Sequence, residues 1–513
     1  MNILESEWYK NCNWYHIYPI GICGVERINS EKIERINKLE ELGSKLWIDH
    51  LKNLNIGGIY IGPVFESVAH GYDTTDLFSI DKRLGSNEDF RNLIKVYHSN
   101  GIKVIIDAVF NHVGRNFFAF NDIKINGKHS KYCDWFKGLD FSKKSQKGDN
   151  FTYTPWEGYY ELVTLNHENC QVRKYLYDAV EFWFNEYEID GLRLDAADCI
   201  SIDFWRMFRD FCKTKFGEKF ALLAEIIHGD QRLWVRPNQS ASIKYEYKNQ
   251  PFDGVTNYVL WDAIWKSHRF NNLELLAKVI SQQNDLLISG WMYNFVDNHD
   301  VTRIASQVEI EDDLLTIFIL LFTLNGSPSI YYGSEFKFKG VKGHGRQADF
   351  QLRPKLTLKD LEWLNSDKND GFLALIKFVS QIRGHKIIGK VLTQGEYSLL
   401  LNTKTLLVFE RRIKEEFILV AINIHTKPVE EIEIDWRNKD GSWRDILSPS
   451  DTYCSKNGKI KINVLSNWAV MISSYVPKVS YIQYKIKKFK KVLYNIPTLD
   501  KGELITVNKE NTN

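Results

Sequence analysis

The chain has 513 residues, a length that suits one large barrel with attached modules better than one small domain. Hydrophobic residues make up 44% and charged residues 26%, which is typical of a globular protein with a substantial core. The formal net charge of +2 gives no electrostatic reason to expect nucleic acid as a partner. The seven cysteines show no CxxC or His/Cys spacing, so neither a zinc site nor a disulfide framework is expected.

Strands and helices alternate through the first 110 residues. The predicted strands are Trp14–Ile20, Gly57–Ile61 and Lys103–Phe110, and the predicted helices are Lys45–Leu54 and Asn87–Ser99. Ser86 is a plausible N-cap for the second helix, which has acidic residues in its first turn. This alternation predicts an α/β fold in which crossover helices connect the strands of a parallel sheet.

The alternation stops between Val113 and about Asn169, where the sequence is polar and aromatic with little helical pattern. Such a stretch is too long for a barrel loop and predicts an inserted subdomain. The alternation then resumes with helices Val172–Tyr187, Ile202–Lys215, Leu273–Asp285, Asp312–Leu324 and Phe372–Arg383, and strands Asp190–Asp195, Phe220–Ile226, Val255–Val259, Tyr293–Val296 and Ser329–Tyr332. The sixth strand and the fifth helix have weak patterns. Eight such units close a (β/α)8 TIM barrel.

After about residue 388, short strands separated by polar turns predict a compact antiparallel C-terminal β domain. These strands are Thr405–Arg411, Phe417–Ile424, Val429–Asp435 and Trp468–Ser473. In the basic tail that follows, Ile482, Ile486, Phe489 and Leu493 fit one helical face, with lysines between them. We expect a helix packed on the body rather than a membrane or partner contact. The predicted domains are a barrel over 1–112 and 170–387, an insertion over 113–169, a β-sandwich domain over 388–475 and a tail over 476–513.

Two stretches of the sequence bear on targeting and membrane insertion. Met1 to Cys12 lacks the apolar core of a signal peptide. The most apolar run, Leu314 to Leu324, is too short to span a bilayer and predicts a buried helix. We therefore expect a cytoplasmic protein without a membrane partner.

Polar side chains follow four of the predicted strands. Asp107, Asn111 and His112 close the third strand, Arg193 and Asp195 the fourth, Glu225 the fifth, and His299 and Asp300 the seventh. The C-terminal strand ends of a barrel converge on one mouth, so these groups should meet there. Because a strand has a period of two, Arg193 and Asp195 point the same way, which should keep the carboxylate ionised. Taken singly, each group has a structural explanation, such as an ion pair or a loop cap.

Together these stretches resemble the four motifs of the α-amylase family (glycoside hydrolase family thirteen), in order and with suitable spacing. Gly58–Val64, Gly71–Asp73 and Gly326–Glu335 resemble further family segments, and the likeness extends from about Trp14 to Arg383. The resemblance implies a (β/α)8 barrel with a domain B after the third strand and an antiparallel C-terminal domain. It also implies a retaining enzyme that acts on α-linked glucose units.

The resemblance assigns a role to each motif residue. Asp195 matches the nucleophile, Glu225 the general acid/base and Asp300 the carboxylate that holds the distorted sugar ring. Tyr72, His112, Arg193 and His299 match groups that contact the reacting glucose, and Asp107 and Asn111 match residues that support the site. Cleavage through an oxocarbenium-like transition state requires such a pair of an attacking carboxylate and a protonated acid.

Departures from the family pattern affect what we expect for the metal site and the oligomeric state, and one further residue bears on the bond type. Asp198-Cys199 stands where calcium-dependent members usually carry Lys-His, so no cofactor is expected, and calcium stays possible without support from the motif. Domain B resembles that of cyclomaltodextrinases and neopullulanases, but the barrel begins close to the first residue, so their dimer is not carried over and the oligomeric state stays open. In the related oligosaccharide glucosidases a small residue after the nucleophile goes with α-1,4 preference, so the resemblance implies that Ala196 favours α-1,4 over α-1,6 bonds.

Three functions therefore remain open. The chain could be a hydrolase of maltodextrins, a glucanotransferase or isomerising relative with the same residues, or a non-catalytic carbohydrate-binding relative. The intact Asp195, Glu225 and Asp300 argue against the last. The first two share a glycosyl-enzyme and differ only in the acceptor, so the sequence does not separate them.

Overall fold

The structure, a computed structural model, describes residues 7–228, 231, 234, 250–287, 290–343, 349–366, 371–436, 439–473 and short strands between 475 and 506. Eight parallel strands form a closed barrel in which each strand pairs with its neighbours along the chain and the last pairs with the first. The barrel strands are β1 (Asn13–Ile17), β2 (Ile56–Ile61), β3 (Lys103–Ala108), β4 (Gly191–Leu194), β5 (Ala221–Ala224), β6 (Gly254–Thr256), β7 (Trp291–Phe295) and β8 (Ser327–Tyr331). The predicted (β/α)8 barrel is confirmed.

The strands are apolar on both faces because both faces are buried. In β2, Tyr60 joins the aromatic core inside the barrel, while Ile59 and Ile61 join the core between the strands and the surrounding helices. Trp14 and Trp291 stack inside the barrel with their rings 5.3 Å apart. A strand buried on both sides needs a continuous apolar run, which explains why the pattern was readable in the sequence.

Helices surround the barrel strands and connect them. Their bounds are Trp8–Asn11, Pro19–Ile22, Lys45–Asn53, Asn87–Ser99, Cys170–Tyr187, Ile202–Phe216, Tyr258–Arg269, Leu273–Leu287, Ile304–Gln307, Asp313–Thr323, Leu358–Ser366, Gly371–Arg383 and Ile388–Gln394. Ser86 caps the helix Asn87–Ser99 in a reciprocal capping box with Asp89, as its sequence predicted. The helix Asp313–Thr323 is buried along its whole length, as expected for the most apolar run. Within the described residues, no helix combines the length and the apolar composition needed to cross a membrane.

The sixth strand–helix unit differs from the prediction. The strand ends at Thr256, and the side chain of Asn257 accepts a hydrogen bond from the backbone of Leu260 at 3.1 Å, which starts the helix Tyr258–Arg269. The aromatic and β-branched residues that open this helix have high strand propensity, and the N-cap outweighs that propensity. Likewise, the first predicted strand stops at Ile17 because Pro19 begins a short helix.

A small subdomain lies between β3 and the helix Cys170–Tyr187. It contains the helix Phe118–Asn126, which the sequence pattern did not predict, and a three-stranded sheet of His112–Gly114, Tyr159–Thr164 and Pro155–Trp156. Glu157 and Gly158 both have positive φ, at 46° and 83°, and form the tight turn of the hairpin. The strand that starts at His112 ties this subdomain directly to the mouth of the barrel.

The C-terminal domain is an eight-stranded antiparallel sheet, which confirms the predicted fold class. Its strands are β9 (Glu396–Asn402), β10 (Leu406–Ile413), β11 (Glu416–Asn423), β12 (Val429–Asp435), β13 (Gly441–Asp445), β14 (Thr452–Lys456), β15 (Lys459–Val464) and β16 (Trp468–Ser473), in the spatial order β9-β10-β11-β16-β13-β14-β15-β12. The amide of Asn467 donates to the carboxylate of Asp313 at 2.7 Å and so joins this domain to the buried helix of the barrel.

The helix predicted for the tail is wrong. Ile482–Ile486 and Lys491–Asn495 are antiparallel strands, and Tyr475–Pro477 pairs with Leu504–Thr506. In the first strand, Ile482, Tyr484 and Ile486 alternate with polar residues, and this period of two prevails over the helical spacing. Phe489 and the lysines at 487, 488 and 490 lie outside the described residues.

Candidate active site

The carboxyl ends of four barrel strands bring the predicted catalytic groups together. Asp107 lies in β3 directly opposite Arg193 of β4, and Asp195 and Glu225 follow β4 and β5 without an intervening residue. Asp300 lies five residues beyond the end of β7. All four carboxylates sit at the mouth of the barrel, the face on which TIM-barrel enzymes place their chemistry.

Arg193 is the centre of the cluster and is only 1% exposed. Its Nη1 donates to Asp107 Oδ1 at 2.8 Å and to Asp195 Oδ1 at 2.7 Å, and its Nη2 forms an ion pair with Glu225 Oε1. One buried cation thus pairs with three carboxylates, so the cluster carries an excess of negative charge in a region of low dielectric.

The excess charge changes the expected state of Asp195. Burial raises the pKa of Asp195 well above its usual range, and Glu225 and Asp107 add to the effect that Arg193 opposes. The expectation that the neighbouring Arg193 would by itself favour the ionised form of Asp195 is not met in direction, because three carboxylates share this cation.

Asp300 has the opposite environment. Its Oδ1 accepts a hydrogen bond from Arg353 Nη2 at 2.8 Å, and its Oδ2 lies 2.9 Å from His299 Nε2. Although burial opposes it, His299 and Arg353 hold the pKa of Asp300 well below its usual range. Asp300 is therefore a fixed anion, which suits a group that binds sugar hydroxyls.

Tyr72 connects the carboxylate cluster around Arg193 to His299 and Asp300. Its hydroxyl donates to Asp107 Oδ2 at 2.9 Å and contacts His299 Nε2, and its ring lies parallel to that of His299. Tyr72 follows Gly71, whose φ of 87° and tight contact with Pro63 leave no room for a side chain. The predicted residues Tyr72, Asp107 and His299 thus form one hydrogen-bonded chain.

His112 and Asn111 lie on the side of the small subdomain. The His112 ring stacks on Trp156 with centroids 5.1 Å apart, and its Nδ1 accepts from the Asn111 amide at 3.2 Å. Burial lowers the pKa of His112 to about 3, so the ring is neutral. Its buried Nε2 has no partner among the described residues and, in this tautomer, is an N–H group available to a ligand hydroxyl.

Two further residues hold Glu225. The Tyr258 hydroxyl donates to Glu225 Oε1 at 3.0 Å, and the backbone N–H of Ala196 donates to Glu225 Oε2 at 3.0 Å. Ala196 adopts a left-handed conformation with φ of 44°, which turns its amide toward Glu225 directly after the Asp195 side chain. Such strain next to a reactive carboxylate is common at functional sites.

Comparison with known proteins agrees with this geometry. The model of the α-amylase catalytic domain matches residues 38–373, and the model of the α-amylase C-terminal all-β domain matches residues 392–487. The chain belongs to the α-amylase family. It is a glycoside hydrolase, and the resemblance drawn from the motifs is confirmed.

Individual relatives within the α-amylase family cover most of the chain. Cyclomaltodextrinase of Thermoanaerobacter pseudethanolicus is 31% identical over 471 residues, which span 88% of this chain and 76% of that protein. Intracellular maltogenic amylase of Bacillus subtilis is 29% identical over 84% of this chain and 72% of that protein. A solved cyclomaltodextrinase structure has a TM-score of 0.74 at 26% identity, and covers 91% of this chain and 78% of its own.

Four residues of this α-amylase family site were not predicted from the sequence. Tyr60 donates to Asp107 Oδ2 at 2.7 Å and lies in the β2 segment that resembles the family, so its strand position could have indicated it. Tyr258 and Trp156 belong to elements that were predicted incorrectly or not at all. Arg353 lies in an irregular segment after β8, where no periodic pattern marks it.

Asp198, at one of the positions that bear on the family's calcium site, contacts the backbone. Its Oδ2 accepts hydrogen bonds from the backbone of Ile227 at 3.2 Å and of His228 at 3.1 Å. The Asn111 amide nitrogen contacts His112. Across the described ranges, no group of three or more His, Cys, Asp or Glu side chains is arranged to hold a metal ion.

Proposed function

We propose that this protein is a retaining hydrolase that cleaves α-1,4-glucosidic bonds of maltooligosaccharides, maltodextrins or cyclodextrins through a covalent glycosyl-enzyme. The observation that carries the proposal is that Asp195 and Glu225 contact the same guanidinium, that of Arg193. This shared contact keeps the two carboxyl groups close. Retaining pairs lie about 5 to 5.5 Å apart, whereas inverting pairs lie about 6.5 to 9.5 Å apart to admit a water.

The first step forms the glycosyl-enzyme. A carboxylate oxygen of Asp195 attacks the anomeric carbon, Glu225 gives its proton to the glycosidic oxygen, and the bond between that oxygen and the anomeric carbon breaks. The step requires Asp195 to be the ionised member of the pair and Glu225 the protonated one. The shared contact with Arg193 lets the two carboxyl groups divide one proton in this way.

The second step restores the enzyme. Glu225 takes a proton from a water molecule, whose oxygen attacks the anomeric carbon and releases Asp195. Asp300, a fixed anion, accepts hydrogen bonds from the hydroxyls of the reacting ring and favours its distorted form. The unpartnered Nε2 of His112 and the Nε2 of His299 are the neighbouring groups that contact the same sugar.

The substrate class rests on the relatives and on two local features. The relatives are named for cyclomaltodextrins and maltogenic action, and one is named intracellular, which supports a short α-glucan in the cytoplasm. The subdomain packs Trp156 against His112 beside the mouth, which supports a site for a short linear chain rather than for a branched polymer. Ala196 supports α-1,4 preference through the family likeness.

The proposal predicts a ranking of substrates. We expect kcat/KM to be higher for maltotriose, maltoheptaose or a cyclodextrin than for isomaltose or soluble starch, when all are measured under one condition. Chromatography of maltoheptaose products over a series of enzyme and substrate dilutions separates hydrolysis from transfer. Starch as the best substrate per chain end, or products longer than maltoheptaose that dominate even at low substrate concentration, would contradict the proposed specificity.

We also propose that the chemical step needs no metal. Both chemical steps use only carboxyl groups, a water molecule and the sugar. The Asp198 carboxylate, near the family's calcium position, accepts hydrogen bonds from backbone amides. Exhaustive chelation followed by dialysis should leave kcat on maltotriose unchanged. Loss of activity that calcium alone restores would refute this expectation.

A further inference from the structure

The two oxygens of Glu225 are held differently. Oε1 faces the Arg193 guanidinium and accepts a hydrogen bond from the Tyr258 hydroxyl at 3.0 Å. Oε2 accepts one hydrogen bond, from the backbone N–H of Ala196 at 3.0 Å. A carboxyl oxygen offers two lone pairs, so both lone pairs of Oε1 face donors, whereas one lone pair of Oε2 has no donor among these contacts.

Asn298 fixes the direction of the Tyr258 hydrogen bond. Its amide oxygen accepts the backbone N–H of Asp300 at 2.8 Å, which orients the amide, and its Nδ2 donates to the Tyr258 hydroxyl oxygen at 3.0 Å. An amide nitrogen only donates, so the hydroxyl proton must point away from Asn298 and toward Glu225. Tyr258 is 8% exposed, so little water competes for this proton.

We propose that Tyr258, oriented by Asn298, is a positioning residue that confines the catalytic proton to Oε2 of Glu225. This inference rests on the proposed function, in which Glu225 is the general acid. Oε2 lies beside the backbone of Ala196, the residue that follows Asp195, so the proton is held on the oxygen that does not face Arg193. It passes from Oε2 to the glycosidic oxygen as the anomeric C–O bond breaks and the bond to Asp195 forms.

Removing the Tyr258 hydroxyl frees a lone pair on Oε1. The proton can then occupy Oε1, on the side away from Ala196, and only part of the enzyme carries it in the productive position. This loss affects substrates whose leaving group needs a proton. It spares a glycosyl fluoride, because fluoride departs as an anion with little acid assistance while Asp195 attacks the anomeric carbon.

The test compares kcat/KM, which reports the glycosylation step, on maltotriose and on α-maltosyl fluoride. In Tyr258→Phe we expect kcat/KM to fall about tenfold on maltotriose and less than about twofold on the fluoride. The tenfold loss is a fraction of the full effect of general acid catalysis, because Glu225 itself remains. Asn298→Ala, which removes the orienting donor, should give a smaller loss with the same selectivity. Tyr293→Phe is the matched control, because it removes a buried hydroxyl that contacts Ser329 at 2.6 Å, and it should change neither value.

Glu225→Gln distinguishes an error in the assignment of the general acid from an error in the positioning role of Tyr258. If Glu225→Gln loses activity on maltotriose and retains it on the fluoride, the acid is correctly assigned. Equal losses on both substrates in folded Tyr258→Phe or, should that variant not fold, in Asn298→Ala would then overturn the positioning role alone. If Glu225→Gln itself loses both activities equally, Glu225 is not the acid, and the proposed function fails with the inference.

Discussion

Replacing Asp195 with Asn, or Glu225 with Gln, should lower kcat on maltotriose by at least about three orders of magnitude, because paired catalytic groups act as a unit. The Asn side chain cannot form the glycosyl-enzyme, and the Gln side chain has no proton to give to the leaving oxygen. Both amides have nearly the same shape as the acids they replace, and Arg193 contacts both positions. Steady-state kinetics on the purified variants gives the result directly.

Asp190→Asn is a matched control on the same strand. Asp190 precedes β4 and binds His98 and Lys103 at the other end of the strand, at 2.7 Å each, so its variant should keep its turnover even if it loses stability. Near-normal turnover in Asp195→Asn would refute the assignment of the nucleophile. Mass spectrometry must first exclude deamidated or contaminating wild-type enzyme.

Replacing Arg193 with Leu should reduce both stability and activity. The change leaves three buried carboxylates without their cation, and removal of one partner from a buried ion pair typically lowers the free energy of unfolding by about 3 to 5 kcal/mol. Turnover should fall by at least about a hundredfold, because the carboxyl groups lose the charge that divides their protons. Urea denaturation and kcat on maltotriose measure the two effects.

The stability of Arg193→Leu should depend on pH in a defined direction. Without the cation, the buried carboxylates take up protons on folding, since protonation relieves their repulsion. The folded state then binds more protons than the unfolded state, so the deficit relative to wild type should shrink as the pH falls from 8 to 5. Arg209→Leu, which also breaks a buried ion pair, with Asp253 at 2.8 Å, should lose stability but keep the turnover of its folded fraction. A deficit that grows at low pH, or normal turnover in Arg193→Leu, would contradict the account.

The barrel and its catalytic carboxylates could be predicted because both depend on short-range patterns. A strand buried on two faces must be continuously apolar, and β3, β4 and β5 each carry Asp or Glu at or directly after their carboxyl end. Parallel strands in a barrel bring these ends to one mouth regardless of the conformation of the intervening loops. The positions of Asp107, Asp195 and Glu225 therefore follow from the sequence together with the topology.

The residues that tune those carboxylates could not be predicted in the same way. Arg353 reaches Asp300 across 53 residues from an irregular segment, and nothing local marks that contact. Tyr258 was assigned to a strand because propensity is a weak guide at a short element, and the cap at Asn257 decided its conformation. The pKa of Asp195 depends on how many carboxylates share Arg193, which is a property of three strands and not of one motif.

The tail shows the limit of periodicity itself. Over a segment as short as Ile482–Ile486, apolar residues four apart fit a helix and a strand equally well. The antiparallel pairing with Lys491–Asn495 decides between them, and that pairing depends on a neighbouring segment.

The anomeric form of the first product tests the central claim most directly, because attack by Asp195 inverts the anomeric carbon once and attack by water on the glycosyl-enzyme inverts it again, which gives net retention. Proton NMR of a concentrated enzyme solution, recorded within the first minutes of maltotriose cleavage, resolves the α- and β-anomeric protons before mutarotation mixes them. We expect the newly formed reducing end to be released as the α-anomer and to equilibrate only later. An initial β-anomer would mean that water attacks directly, and it would contradict a covalent intermediate on Asp195.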